Sequence, residues 1–152
     1  MIEQQLLKLG IILPVAPSPA FQYVPVTVFE RLAFVSGQLP RDGERLIVGK
    51  VGADVTLEHG REAARLCILQ GLACLKQALG SLDGIEKILK LTGFVASGPG
   101  FNQQPRVIDA ASELLVEVFG DSGRHARSAV GVAELPRNAA VEVELIVGLR
   151  RV

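Results

Sequence analysis

The C-terminal segment 127–145 constrains the fold most, because it contains two strand-like runs, and in the second of them, 141–145, polar and apolar residues alternate at the period of a β-strand. Successive side chains of a strand face opposite sides. The apolar residues of the run 141–145 therefore share one face, and Glu142 and Glu144 share the other. We expect one face to be buried in a core and the other to be exposed or functional.

Arg127 stands at the start of a second strand-like run, 128–133, and the turn-forming residues 135–138 follow it. This order predicts that 128–133 and 141–145 form an antiparallel pair, with Arg127 near the glutamates. A guanidinium has a rigid fork of donors that matches a carboxylate or phosphate. The alternative is a structural Arg127–Glu142 ion pair, which at a surface contributes only about 0–1 kcal/mol.

The remaining pattern indicates an α+β fold. A predicted hairpin covers 22–36, and helical periodicity covers 56–79 and 107–119, with a strand at 87–95 between the two helices. Because strands and helices mix without strict alternation, we expect a mixed β-sheet with the two main helices packed on one face. We treat residues 1–152 as a single domain.

Composition and the N-terminus narrow the class of protein. Lys+Arg and Asp+Glu both total 16, so no basic field attracts nucleic acid, and that partner is disfavoured. No apolar run approaches the roughly 20 residues of a membrane helix, so no membrane partner is expected. Residues 1–15 are interpreted as a short extension that begins with an amphipathic helix, which Gly10 ends and which has Ile2, Leu6 and Leu9 on one side. It lacks the features of a secretory signal, which favours the cytoplasm.

The cysteines and histidines do not indicate a metal site. Cys67 and Cys74 lie seven residues apart in a predicted helix, too far to form a disulfide, and are expected to be buried. A catalytic cysteine is the alternative, although neither has a nearby histidine in sequence. His59 and His125 have no metal-ligand spacing, so no metal is predicted.

Three separated elements resemble the reactive intermediate deaminase family, the YjgF-like proteins also labelled L-PSP endoribonucleases. They are Arg127-Ser128-Ala129-Val130 with Leu135-Pro136 and Val141-Glu142-Val143-Glu144, then Phe34-Val35-Ser36-Gly37-Gln38, and Tyr23 upstream. The resemblance extends from about residue 20 to the C-terminus. It implies a chorismate-mutase-like fold and a homotrimer with clefts between subunits.

The resemblance also implies an activity that needs no cofactor. Members of the family hydrolyse enamines and imines that carry a carboxylate to 2-oxo acids and ammonia. By this resemblance Arg127 binds the substrate carboxylate and Glu142 orients or activates the attacking water. Tyr23 and Ser36 would complete the pocket, and Gly37 would allow close backbone approach. The ligand would be a small carboxylate-bearing imine or 2-oxo acid.

Structural roles remain open for these residues, and so do other functions. Tyr23 fits a core position, Ser36 fits a strand-end turn, and Glu144 fits a solvated or interfacial position. Because Ala129 replaces a common cysteine and the loop 97–106 is longer than usual, we expect a larger or more apolar imino acid. A non-catalytic, carboxylate-binding or regulatory trimer is the main alternative. An endoribonuclease is less favoured, because the charge is zero and no histidine pair is present.

Overall fold

The protein is described by a computed structural model that covers residues 1–18 and 21–151. Its elements in chain order are α1 (Ile2–Lys8), β1 (Val26–Phe29), β2 (Leu32–Gln38), β3 (Arg41–Asp42), β4 (Arg45–Leu46), α2 (Leu57–Leu79), β5 (Ile85–Ala96), α3 (Gln104–Phe119), β6 (Ala126–Val132) and β7 (Val141–Leu149). Short 3₁₀ turns precede β5, follow α3 and precede β7. This is the mixed α+β class that the sequence predicted.

The main sheet has the strand order β1-β2-β7-β5-β6, and β3 and β4 form a separate two-stranded sheet. β6 runs parallel to β5, and the other neighbours are antiparallel. The prediction that 128–133 pairs with 141–145 is therefore wrong, because β5 lies between them. The segment 135–138 does turn the chain, but the crossover through α3 had already placed β6 beside β5, as parallel strands require.

Two long helices cover one face of the sheet. Thr56 caps α2 by accepting a hydrogen bond from the backbone N–H of His59 at 3.1 Å, and Gly80 ends α2 with a φ of 79°. α3 packs so closely that a Cβ on Gly93 of β5 would lie 2.5 Å from Cδ1 of Ile108. Glycine at position 93 therefore sets the distance between α3 and the sheet.

The opposite face of the sheet is not covered by any described element. Phe34 and Val130 on this face are 39% and 43% exposed, and Leu32 is 37% exposed. Phe94 and Ile146 share the face and are half-buried. The same face also carries Glu142, Glu144, Lys90 and Ser128, so it is mixed in polarity. Exposed apolar side chains grouped on an uncovered sheet face are typical of a surface that another protein surface covers.

The N-terminal extension packs on the same chain. Leu6 of α1 is 4% exposed, and the Glu3 carboxylate accepts a hydrogen bond from the backbone N–H of Leu82 at 3.1 Å. Lys76 of α2 pairs with Glu3 at 2.7 Å. The predicted helix is confirmed, but Leu9 is 41% exposed and does not share the buried side with Leu6. Within 1–18 and 21–151, no helix has the length and apolarity to cross a membrane.

Candidate functional site

The structure separates the predicted site residues into two groups. Tyr23 and Gly37 line one cavity, and Glu142 contacts Gly37. Arg127 lies on the helix-covered face, away from them, because it is in register with the buried Leu91. The chain therefore brings the glutamate, the glycine and the tyrosine near one another but does not bring the arginine to them.

Glu142 and Gly37 are in direct contact between strands β7 and β2. A Cβ placed on Gly37 would lie only 2.1 Å from Oε1 of Glu142, so only glycine leaves the carboxylate its position. Burial raises the pKa of Glu142, and the nearby Glu144 raises it further. A half-buried carboxylate with a raised pKa suits a group that takes up a proton.

The cavity beside Gly37 has a volume of about 190 Å³. Besides Tyr23 and Gly37, it is lined by Gln38, Arg41 and Arg137, among others. Tyr23 is 51% exposed, so the alternative that it is a core residue is wrong for the isolated chain.

Ser36 has a local structural partner. Its hydroxyl donates a hydrogen bond to the carbonyl of Val24 at 2.7 Å, which ties β2 to the segment before β1. This contact favours the structural interpretation of Ser36, because it fixes the segment that carries Tyr23.

Arg127 is held by residues of α3 and not by a glutamate. Its Nη1 donates to the Asp109 carboxylate at 2.8 Å and to the Ser112 hydroxyl at 3.2 Å. Its Nη2 lies 3.5 Å from the carbonyl of Pro105. Arg127 thus forms an ion pair, as the alternative expected, but its partner is Asp109 and not Glu142. The Nε donor has no partner among the described residues, so one edge of the guanidinium remains available to a ligand.

His125 and Ser112 extend this arrangement. His125 Nδ1 faces the carbonyl of Gly123, which only accepts, so Nδ1 carries the proton. The Ser112 hydroxyl then donates to Nε2 of His125 at 2.9 Å and accepts from Arg127. Burial lowers the pKa of His125, and Arg127 lowers it further. Asp109, Ser112 and His125 together fix Arg127 in place.

This network was not predicted from the sequence. The i, i+3 spacing of Asp109 and Ser112 places both on one face of a helix. Only the parallel β5–β6 pairing, however, brings that face to Arg127. The sequence shows the spacing of Asp109 and Ser112, but it does not show which strand lies beside that face of the helix.

Arg127 and Glu142 of one chain cannot hold one small ligand between them. Glu142 lies opposite Phe94, which in turn lies opposite Val130, three residues beyond Arg127. With strands about 4.8 Å apart and about 3.3 Å per residue, the two Cα atoms are roughly 14 Å apart. Their side chains also leave opposite faces of the sheet. A site that uses both residues needs two chains.

The cysteines and the acidic residues show no metal cluster. Within the described ranges, no three His, Cys, Asp or Glu side chains gather in a way that could hold a metal ion. Cys67 and Cys74 are free and buried, as predicted, and burial raises the pKa of the Cys74 thiol to about 11. Thiols of this kind are poor nucleophiles, so the catalytic-cysteine alternative loses support.

Comparisons with known proteins agree with this geometry at the level of the fold. Residues 3–149 match the model of the family described as "YjgF/chorismate mutase-like, putative endoribonuclease". The chain therefore belongs to the YjgF/chorismate mutase-like family, as the sequence motifs predicted.

Individual relatives cover nearly the whole chain. Protein TCP17 of Trypanosoma cruzi is 45% identical over 97% of this chain and 94% of its own length. The crystal structure of Atu1372 from Agrobacterium tumefaciens, a protein of unknown function, superposes with a TM-score of 0.90 at 47% identity, covering 98% of this chain and 92% of that one. A 2-iminobutanoate/2-iminopropanoate deaminase of Dermatophagoides farinae is 28% identical over 88% of this chain and 91% of its own length.

Proposed function

We propose that the protein hydrolyses reactive imines and enamines that carry a carboxylate, giving 2-oxo acids and ammonia. The observation that carries the proposal is the half-buried Glu142 carboxylate, held against Gly37 beside a cavity that also includes Tyr23. The similarity to a 2-iminobutanoate/2-iminopropanoate deaminase supports the same reaction class. The proposed reaction takes place in the cytoplasm and uses no cofactor.

In the proposed site, Arg127 of one subunit faces Glu142 of its neighbour. The separation of the two residues within a chain supports this arrangement, because neither reaches the other. The uncovered sheet face carries Glu142 together with the exposed Phe34 and Val130, so subunit contacts there would bury apolar surface beside the glutamate. We propose a homotrimer with one such cleft at each of three interfaces.

The proposed reaction needs a protonated substrate nitrogen and a Glu142 carboxylate that can accept a proton from water. An enamine that accepts a proton on carbon becomes the iminium ion directly, and an imine becomes the same ion when its nitrogen is protonated. Water adds its oxygen to the imine carbon and gives a proton to Glu142. Glu142 passes this proton to the nitrogen, the carbon–nitrogen bond breaks and ammonia leaves. The hydroxyl then gives its remaining proton to the Glu142 carboxylate and becomes the carbonyl, and this proton replaces the one that formed the iminium ion. Positioning of water and substrate supplies much of the acceleration.

Arg127 would anchor the carboxylate through its remaining donors. Asp109 and Ser112 occupy Nη1, and Nη2 lies 3.5 Å from the carbonyl of Pro105, which leaves Nε and the second N–H of Nη2 for two hydrogen bonds to a carboxylate. The pair with Asp109 holds the guanidinium in one orientation before the ligand arrives, which reduces the entropy lost on binding. Asp109 is thus a positioning residue in this proposal.

A non-catalytic trimer that binds 2-oxo acids is the second candidate, since the same cleft would hold the product without turnover. An endoribonuclease has weaker support. The formal net charge is zero. His59 lies in α2, whereas His125 lies in the loop before β6, where its Nε2 accepts a hydrogen bond from Ser112. Neither is placed as a free acid–base pair.

The test is release of ammonia and 2-oxo acid from a panel of amino-acid imines generated in situ. Wild type should accelerate release, and Arg127→Ala should lose about a hundredfold or more in kcat/KM. Arg124→Ala is the matched control, because Arg124 pairs with the exposed Asp121 and should not affect the rate. Equal rates with and without wild type, together with Arg127-dependent 2-oxo acid binding, would favour the binding trimer instead.

A further inference from the structure

Two arginines that the reaction above does not use line the cavity beside Gly37. Arg41 and Arg137 lie along its wall with Tyr23. Both also line the adjoining groove of about 780 Å³ between the segment 12–18 and α2. The two guanidinium-bearing residues therefore stand where the small cavity meets a larger space.

Neither arginine has a side-chain partner in the described part of the chain. No carboxylate of 1–18 or 21–151 lies within ion-pair distance of Arg41 or Arg137, and neither side chain donates a hydrogen bond. Most other arginines do pair with a carboxylate: Arg31, Arg45, Arg61, Arg65, Arg124 and Arg127. Arg151 also lacks a described partner, but it lines a different cavity beside Leu149.

The backbone of Arg41 is fixed from the core. Gln70 of α2 is 4% exposed and donates from Nε2 to the carbonyl of Arg41 at 3.1 Å. A buried amide used in this way holds the two-residue strand β3 in place. The position of Arg41 at the cavity is therefore set by the fold and not by a surface contact.

The backbone of Arg137 is held in an unfavourable conformation. Arg137 has φ 58° and ψ 23°, in the left-handed region that disfavours a side chain with a Cβ. The next carbonyl, that of Asn138, accepts a hydrogen bond from the N–H of Gly49 at 2.9 Å, which holds the turn. Strain of this kind clusters at ligand-binding positions. Glycine would fit the backbone better, so an arginine side chain at this position of the cavity wall agrees with a role in binding.

The charges around the cavity favour an anion. Glu142 contacts Gly37 from the neighbouring strand, and Asp42 lines the larger groove but lies 3.9 Å from Arg45. Two unpaired guanidinium groups thus outnumber the one carboxylate that faces Gly37. A guanidinium binds a carboxylate or a phosphate through the same fork of donors.

We propose that Arg41 and Arg137 bind a second anionic group of the substrate, at the end remote from the imine carbon. The substrate class would then be imines of dicarboxylic or phosphate-bearing amino acids, in preference to monoanionic ones. This inference rests on the proposed function and deepens it. The larger substrate expected from the sequence would be selected by charge and not by apolar surface.

Binding tests the inference without requiring turnover. Calorimetry would compare three ligands. 2-Oxoglutarate carries a second carboxylate, 3-phosphohydroxypyruvate carries a phosphate besides its carboxylate, and 2-oxobutyrate carries one carboxylate only. Wild type should bind at least one dianion about tenfold more tightly than 2-oxobutyrate, and the preferred dianion identifies the second group. Equal affinities for all three would overturn the proposal.

Variants of Arg41 and Arg137 test whether these two residues cause any preference for dianions over 2-oxobutyrate. Arg41→Met keeps the apolar stem, and Arg137→Gly removes the side chain while suiting the left-handed backbone. Each should lower the dianion preference severalfold, and the double variant should abolish it, while 2-oxobutyrate affinity stays the same. Arg151→Met is the control for loss of an unpaired charge and should keep the preference. A preference unchanged in the double variant would overturn the assignment.

Measurements of turnover distinguish failure of the proposed anion site from failure of the proposed deaminase function. Imines of glutamate and of 2-aminobutyrate would be generated in situ, and ammonia release compared. Arginine-dependent binding of dianions with no turnover supports the anion site and contradicts the deaminase function. Turnover of both imines at equal rates, unaffected by the double variant, contradicts the anion site and leaves the deaminase function intact.

Discussion

Oε1 of Glu142 lies where a side chain at position 37 would begin, 2.1 Å from the place of a Cβ on Gly37. The two residues sit on the neighbouring strands β2 and β7, more than one hundred positions apart in sequence. Glycine at 37 is therefore required by the carboxylate and not by its own backbone, whose φ is not in the left-handed region. Gly37 of the motif 34–38 therefore provides the space that the proposed catalytic carboxylate of Glu142 occupies.

Gly37→Ala should displace Glu142 and reduce turnover by about a hundredfold, since a misplacement of about 1 Å at a reacting group has that effect. The fold should persist, because the end of the glutamate side chain can move. Gly148→Ala is the matched control. Its Cβ would meet Leu89 at 3.6 Å, an ordinary contact on the same sheet face. Normal turnover by Gly37→Ala would show that the position of Glu142 is irrelevant to the rate.

Asp109 should act on catalysis only through Arg127. Asp109→Ala removes the 2.8 Å ion pair and should lower kcat/KM by about tenfold, whereas Arg127→Ala should lower it by about a hundredfold. The double variant should be no worse than Arg127→Ala alone, since the pair acts as a unit. Additive losses in this double-mutant cycle would mean that Asp109 has a separate role.

His125 should make stability depend on pH. Its pKa is lowered by burial from the ordinary value of 6.5, so the unfolded chain takes up the proton first as the pH falls. The free energy of unfolding is thus at its full value above that pH and decreases below it. His125→Asn should remove this part of the decrease between pH 7 and 5. If the free energies of unfolding of the two proteins decrease equally between pH 7 and 5, the lowered pKa of His125 is contradicted.

Gly93→Ala should destabilise the fold by about 1–3 kcal/mol, because the added methyl would overlap Ile108 of α3. Replacing Ile108 by alanine makes room, so the two substitutions together should cost less than the sum of their separate effects. Gly84→Ala has nothing within 4 Å of its Cβ and should change stability by less than about 0.5 kcal/mol. Urea denaturation of the four variants measures these differences.

The sequence predicted the local structure of this protein well. Helix boundaries followed from Thr56, Gly80 and Gly120, whose capping roles depend on neighbouring residues only. The alternation of 141–147 likewise gave the buried face of β7. Strand order was predicted wrongly, because pairing between β5 and β6 depends on a crossover of about thirty residues that no short pattern encodes.

The candidate site was predicted in part. The motif around Gly37 and Glu142 located two residues that are in contact. Arg127 was placed beside Glu142 because the wrong pairing put both on one face. Arg41 and Arg137 were missed, since their common cavity exists only after β3 and the turn before β7 have come together.

The proposed site combines Arg127 of one subunit with Glu142 of its neighbour. Arg127→Ala and Glu142→Gln would each be assayed alone for ammonia release, then mixed in equal amounts, unfolded and refolded together. Random mixing in a cyclic trimer restores about one quarter of the clefts, so the mixture should regain about a quarter of the wild-type rate. A mixture no more active than the average of its two parents would contradict a site shared between subunits.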